Sequence, residues 1–270
     1  MKSALLATSI ALLAAVPMPH PRIVALMPSL VEDFFAVGAG RQVVGVSAYS
    51  QGVAGAEKLP VVADFSSVDS EKIVALRPDV VVGIPAQARL LAPLERAGMK
   101  VVLLSDDGYG SIFTNIAVAG DLSGHALEAR RLVSRLSQQT GALRARTRSF
   151  KRTPSVFVVL GTGPIWTAGK KSFIATLIAM AGGRNAADDL DAAYGQYSAE
   201  ALLRHQPDVI VTDPSVHFGA VLQSEPWRSL NAVRKGHVFT VDPAGMLERP
   251  GPNYNEGLRW LVERLTPLAT

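Results

Sequence analysis

One short unit occurs twice in this chain, and a sequence that repeats such a unit is constrained to build the same local fold twice. The first copy runs Asp69-Ser70-Glu71-Lys72-Ile73-Val74-Ala75-Leu76-Arg77-Pro78-Asp79, followed by Val80-Val81-Val82. The second runs Ser198-Ala199-Glu200-Ala201-Leu202-Leu203-Arg204-His205-Gln206-Pro207-Asp208, followed by Val209-Ile210-Val211. Asp or Ser at the first position can accept a hydrogen bond from the free N–H groups of a helix's first turn. The glutamate two places on falls in that turn, where the helix dipole favours negative charge. Proline cannot continue the helix, and the β-branched run after it reads as a buried strand. Two such units far apart predict two similar lobes. Helix-Pro-Asp-strand units also recur by coincidence in α/β proteins, so the weight rests on the matched Glu-to-Pro spacing.

The chain of 270 residues can hold one large domain or two small ones. Its 48% apolar and 19% charged residues are a globular composition with ample material for a core. A net charge of +4 does not by itself imply a nucleic-acid partner. There is no cysteine, which excludes disulfides, thiolate metal sites, a cysteine nucleophile and a lipid-modified cysteine. Met1-Lys2 precedes an apolar stretch from Ala4 to Val16 and then Pro17-Met18-Pro19, the pattern of a secretory signal ending near residue 20. A buried first strand or helix is the other reading of that stretch. Export of the mature protein is the expectation.

After the signal, Arg22–Leu26 reads as a strand, and Ser29 with Glu32 forms a capping box for a helix through Val37. Further strands are expected at Val43–Val46, Val80–Gly83 and Val101–Leu104, with a helix at Leu90–Ala97. These strands are continuously apolar rather than alternating, the mark of a parallel sheet covered on both faces. From about Ser123 to Arg148 no strand signal and no proline occurs, which predicts one helix roughly 35–40 Å long. It is also the basic segment, with Arg130, Arg131, Arg135, Arg144, Arg146, Arg148, Lys151 and Arg152. The aromatic interleaving of a nucleic-acid surface is absent, and a solvated face is the plainer reading. Beyond it, strands at Ser155–Leu160, Val209–Thr212 and His237–Val241 and helices at Lys171–Ala181 and Tyr254–Leu265 restore the earlier style. The predicted fold is α/β: a first lobe over residues 21–122, a connecting helix over 123–150 and a second lobe over 151–270. Each lobe is a mostly parallel sheet with flanking helices, and one long rigid helix joins them.

No catalytic constellation stands out. Gly161-Thr162-Gly163 follows a strand as a phosphate loop would, but Pro164 follows and no complete nucleotide motif appears. There is no Gly-x-Ser-x-Gly elbow. The histidines are scattered; His217 with Asp213 and Asp242 is the one trio that could converge on a metal, against the plainer reading of an ordinary loop histidine. Aromatic and polar side chains do fall after strand ends: Tyr49, Phe65 and Tyr109 in the first lobe, and Trp166, Phe218, Glu248 and Arg249 in the second. Each alone could be packing. Together they lie where α/β sheets bind ligands, and aromatic faces with a few polar groups suit a large, partly flat ligand.

The chain resembles the periplasmic binding proteins that feed ABC importers for cobalamin, haem and ferric siderophores, whose two lobes are joined by one rigid helix. The residues that carry the resemblance are Arg22–Leu30, Gly38-Ala39-Gly40-Arg41-Gln42-Val43-Val44-Gly45-Val46, Leu59-Pro60-Val61-Val62, both repeat copies, Trp166-Thr167-Ala168-Gly169-Lys170 and Glu248-Arg249-Pro250-Gly251-Pro252. They occur in the family's order over essentially the whole mature chain. The vitamin B12 branch is the nearest likeness. The resemblance implies cobalamin or another metal chelate as transported ligand, with Tyr49, Phe65, Trp166 and Arg249 contacting it. It implies no catalysis, no resident cofactor or metal, a monomer, and a permease dimer docked by Glu71 and Glu200. An aromatic expected after Val80–Gly83 is replaced by Ile84-Pro85, and Phe65 stands where tryptophan is common. A haem or ferric-siderophore receptor is the alternative within the family, and an exported metal-dependent hydrolase the alternative outside it.

Overall fold

The computed structural model describes residues 20–64, 66–106, 108–241 and 246–270. The signal-like stretch before His20 and two expected site residues, Phe65 and Asp242, lie outside the described residues. The first lobe runs β1 (Ile23–Ala25), α1 (Pro28–Ala36), β2 (Val43–Ser47), β3 (Val61–Ala63), α2 (Ser70–Ala75), β4 (Val80–Gly83), α3 (Ala88–Arg96) and β5 (Val101–Leu103). Two helices follow, α4 (Tyr109–Ser123) and α5 (Ala126–Thr147). The second lobe runs β6 (Ser155–Val159), β7 (Gly161–Thr162), β8 (Ile165–Ala168), α6 (Phe173–Met180), β9 (Arg184–Asn185), β10 (Tyr194–Gln196), α7 (Ala199–His205), β11 (Val209–Thr212), α8 (Asn231–Arg234), β12 (Val238–Thr240) and α9 (Tyr254–Ala269).

The lobes are built on one plan. The first sheet has strand order β3-β2-β1-β4-β5, and the second β12-β11-β6-β9; all pairs in both are parallel. Read from the repeat strand, β4 beside β1 matches β11 beside β6. The second lobe adds a small antiparallel ribbon, β10-β8-β7, which the sequence reading did not anticipate. Gly161-Thr162-Gly163, considered above as a phosphate loop, supplies β7 and the first residue of the Gly163-Pro164 turn that leads into β8. Gly169 follows β8 because a Cβ there would collide with the Leu190 and Ala192 carbonyls crossing beside it.

The repeat units show why their sequence matters. Asp69 accepts a hydrogen bond from Lys72 N–H at 2.9 Å and Ser198 from Ala201 N–H at 3.0 Å, so both expected caps form. The residue before each proline, Arg77 or Gln206, turns left-handed at φ +49° or +42°, and the proline that follows has no N–H to offer a continuing helix. The aspartate after each proline then clasps the start of its lobe's first strand. Asp79 accepts from Arg22 N–H at 2.6 Å and its own N–H donates to Arg22 O at 2.8 Å. Asp208 accepts from Ser155 N–H at 2.8 Å, and its N–H donates to Ser155 O at 3.0 Å.

One sequence expectation needs correction. Ser29 does not cap α1: the helix begins with Pro28 at N1 after Met27, and Ser29 and Glu32 are buried inside it. Proline at N1 has no N–H that needs an acceptor, and Glu32 is available for another partner. The helix expected over about 123–148 is there as α5, and a further helix that the sequence reading did not anticipate, α4, precedes it. α4 ends at Gly124, left-handed at φ +78°, and α5 starts afresh after His125. α5 spans 22 residues, about 33 Å at the standard rise.

Packing makes the two lobes continuous. α4 packs on α1 and α5, α5 on α9, and α9 on α6. One apolar core joins Leu30 and Phe34 of α1 to Ile112 and Ile116 of α4, Leu132 and Leu136 of α5, and Leu258 and Leu261 of α9. Inside it lies a polar knot: Thr140 and the Tyr254 hydroxyl are 2.6 Å apart, Thr140 donates to Asn255 Oδ1 at 2.8 Å, and Asn255 Nδ2 donates to Leu136 O at 3.2 Å. Every partner is satisfied within the knot, which fixes the register of α5 against α9.

The Asp208 clasp carries a pH signature. Partial burial opposes its charge, but bonds from Ser155 and the Arg152 guanidinium together hold its carboxyl below the usual range. A depressed carboxylate stabilises the fold above its unfolded pKa, about 4, and loses that contribution as pH falls through its folded value. Asp208→Ala is expected to cost about 2–3 kcal/mol at neutral pH in urea unfolding, with the gap to the parent closing below about pH 4. A variant as stable as the parent at pH 7 would show that the clasp does not hold the strand.

Candidate ligand-binding site

In a doubly wound sheet a ligand site forms beyond the carboxyl ends of the strands where the order reverses. Here those points lie between β1 and β4 and between β6 and β11, and the two face one another. Leu26, Met27 and Pro28 follow β1; Ile84, Ala86 and Gln87 follow β4; Asp213 and Ser215 follow β11. They bound a cleft with two compartments of about 660 Å³ each. Met27, Pro28, Glu248 and Arg249 border both and form the ridge between them.

The compartments differ in chemistry. The one beside the first lobe has an aliphatic wall of Leu26, Ile84 and Leu90, with Tyr49 at its edge, 57% exposed. The other is lined by hydroxyls and charges, among them Ser29, Tyr109, Ser172, Thr176 and Tyr194, with Asp106 and Lys171. Burial, then the carboxylates of Glu248 and Asp106, push the Tyr194 hydroxyl up to about 12. Tyr109 is held at the cleft by its hydroxyl, 3.2 Å from that of Tyr254, and by edge-on contacts with Phe113 and Tyr254. The cleft wall is therefore bonded directly to the knot in the helical core.

Arg249 is the centre of the ridge. It donates to Glu32 Oε1 of α1 at 3.2 Å, an ion pair that crosses from one lobe to the other. Gly251 makes this approach possible, since a Cβ there would stand 2.9 Å from Glu32 Oε2. Burial raises the Glu32 carboxyl despite the guanidinium beside it. Glu248 is raised too, by burial first and then by Asp213, with which it shares a hydrogen bond. The cations lining the described cleft are both already held by acids outside it: Lys171 by Asp191 at 2.9 Å and Arg249 by Glu32. Against them, Asp64, Asp106, Asp213 and Glu248 face the cavity.

The structure brings Tyr49, Tyr109, Glu248 and Arg249 together at this cleft. Trp166 lines neither compartment. It stands on β8, 40% exposed, opposite Gln196 and on the same ribbon face as Tyr194, two positions along. Phe218 is not a cleft residue: it is 3% exposed and packs edge-on against buried Trp227 at 4.8 Å. The aromatic pair belongs to the second lobe's core. His217 bonds Ser215 O at 2.9 Å, and no group of three or more metal-ligating side chains occurs among the described residues. Glu71 and Glu200 are exposed in the first turns of α2 and α7, matched in their lobes as in the sequence. Tyr194, Lys171 and the Met27-Pro28 ridge were missed in the sequence. The last could have been found from its place just past a strand end; Tyr194 could not, because its short ribbon strand has no apolar pattern.

A cleft made from the carboxyl ends of two sheets, closed on one side by packed helices, defines a two-lobed binding protein that encloses a small ligand. The chain belongs to the periplasmic binding protein family, whose sequence profile matches residues 23–244. It is 32% identical over 254 residues to an uncharacterized ABC transporter substrate-binding lipoprotein of Bacillus subtilis, covering 91% of this chain and 80% of that protein. The crystal structure of the periplasmic vitamin B12-binding protein BtuF of Vibrio cholerae superimposes with a TM-score of 0.80 at 28% identity, covering 93% of this chain and 98% of that one. The periplasmic haem-binding protein RhuT of Roseiflexus sp. RS-1 superimposes with a TM-score of 0.82 at 25% identity, covering 93% and 100%. Family and fold are those of substrate-binding transport proteins rather than of enzymes.

Asp33, beside Glu32 on α1, is fully enclosed, and neither of its carboxylate oxygens has a partner among the described residues. Burial, reinforced by the Glu32 charge, pushes its carboxyl well above the ordinary range. A group raised on folding contributes stability below its unfolded pKa and loses it as pH rises through the folded value. Asp33→Asn removes that loss. Its melting temperature is expected to exceed the parent's by a few degrees at pH 7 and to match it below about pH 4, as read by circular dichroism. A variant that melts below the parent at pH 7 would contradict a raised, penalised Asp33.

Proposed function

We propose that this protein captures a corrinoid, cobalamin or a close relative, in the periplasm and delivers it to an ABC importer. The observation that supports this reading over the family's other ligands is the charge of the cleft. Haem and many ferric siderophores are anionic, yet neither lining cation of the described cleft is free, and four carboxyl groups face the cavity. A corrinoid is neutral or cationic, and its rim of primary amides donates hydrogen bonds. Carboxylates and hydroxyls accept such bonds, while an anion placed among them loses hydration without gaining a partner. The aliphatic compartment suits the flat face of a macrocycle, with Tyr49 against it. Two joined cavities of this size also accommodate a ligand larger than a usual small-molecule site of about 300–1,000 Å³.

The reading extends to the partner. Glu71 and Glu200, one exposed carboxylate per lobe in matching helices, suit a permease dimer that offers one arginine from each subunit. Each also complements its helix dipole, worth only about 0.3–1 kcal/mol. Charge pairs at such a contact set orientation and encounter rate. Export by the N-terminal segment and function as a monomer complete the proposal.

Titration of the mature protein with cobalamin, cobinamide, haem and a ferric siderophore, followed by tryptophan fluorescence, tests the ligand. Saturable quenching by the two corrinoids and at least tenfold weaker binding of the anionic chelates is expected. Trp166→Phe should reduce the quench, and Tyr49→Ala should weaken corrinoid binding by about tenfold, the scale of one lost aromatic contact. Tight binding of haem without corrinoid binding would overturn the reading. For docking, Glu71→Arg/Glu200→Arg should bind ligand and fold normally but fail to support uptake; normal uptake at parental protein level would exclude it.

A further inference from the structure

The exposed face of α5 has no part in the cleft. Its buried seam is Ala129, Leu132, Leu136, Thr140 and Leu143. At 3.6 residues per turn, the opposite side is an uncharged strip of Leu127, Ser134, Gln138, Gly141 and Ala145. Arg130, Arg144 and Arg148 flank this strip on one side, and Arg131, Arg135 and Arg146 flank it on the other. All six are exposed, and none is in an ion pair among the described residues. By contrast Arg152, Arg184, Arg204, Arg228 and Arg249 each have a carboxylate within 4 Å. Glu128 is the helix's one acid. The chain's net +4 is thus concentrated on this helix, and the remainder is close to neutral or acidic.

Arginine in two rows on either side of an uncharged strip lines a helix face some 30 Å long. A recess of about 240 Å³ between α5 and α9, lined by Arg135, Gln139, Asn253, Glu256 and Arg259, adjoins one row. It is large enough to take a phosphate headgroup. We propose that this face rests on a membrane leaflet and binds its anionic phospholipid headgroups, keeping the protein near the bilayer between rounds of delivery. Charge complementarity selects that partner: a bilayer is flat and repeats its phosphates in two dimensions, matching two parallel rows rather than a single basic stripe. Aromatic side chains, which a single-stranded nucleic acid would use for stacking, are absent from the exposed face of α5. The sequence has no cysteine to carry a thioether lipid, whereas the Bacillus subtilis relative is a lipoprotein. An electrostatic footing serves the same end reversibly.

The test is flotation of the purified full-length mature chain with vesicles of phosphatidylcholine alone and of phosphatidylcholine with phosphatidylglycerol. Binding is expected only with phosphatidylglycerol and is lost at high salt. Arg131→Gln/Arg135→Gln/Arg146→Gln and Arg130→Gln/Arg144→Gln/Arg148→Gln should each weaken partitioning about a hundredfold, roughly fivefold per arginine. Arg41→Gln/Arg89→Gln, exposed on the first lobe, should leave it unchanged. Because these are surface changes, circular dichroism and the corrinoid titration should match the parent for all three variants. Equal flotation with both vesicles, insensitivity to the triple substitutions, or association with soluble polyphosphate but not with vesicles would overturn the proposal.

Discussion

Asp79 and Asp208 fix where each sheet begins, and the cleft depends on that. Each carboxylate and the N–H of the same residue grip the residue at the start of its lobe's first strand, so the repeat strand and the central strand enter the sheet level with one another. The registers carry this through to the other end, where Ala25 stands opposite Val82 and Val159 opposite Thr212. The residues just past those ends, Met27, Ile84 and Asp213 among them, are thereby placed around one cavity. A one-residue slip would turn every side chain of the strand to the opposite face and misplace the residues that follow.

The sequence made much of this legible because the relevant signals are local. Strands β4 and β11 have the limits that their apolar runs suggest, and the caps at Asp69 and Ser198 form as their spacing indicates. What escaped depends on partners distant in the chain. Ser29 and Glu32 have capping-box spacing, yet Glu32 turns to Arg249, more than two hundred residues away, and Pro28 starts the helix instead. α4 was missed because Gly110 and Gly120 and its β-branched residues weaken its intrinsic preference; burial against α1 and α5 stabilises it, and Gly120 lets Ala129 of α5 approach closely. Phe218 looked like a loop aromatic because only the fold shows Trp227 standing against it.

Arg249 belongs at once to the cleft and to the contact between lobes. A ligand group that drew its guanidinium away would weaken the pair with Glu32, so occupancy and lobe tethering are linked through one side chain, and by thermodynamic reciprocity each affects the other to the same extent. The continuous core through α1, α4, α5 and α9, with Thr140, Tyr254 and Asn255 locked inside it, restricts how far that coupling can move the lobes.

Among the described residues, the ribbon of β7, β8 and β10 occurs in one lobe only. Two lobes on one plan would otherwise offer a ligand two nearly equivalent walls, and a bound molecule could turn over without knowing the difference. With Tyr194 on one side and an aliphatic wall of Ile84 and Leu90 on the other, the cleft has a front and a back. Two lobes of one plan supply the vessel, and the ribbon makes its two walls unlike.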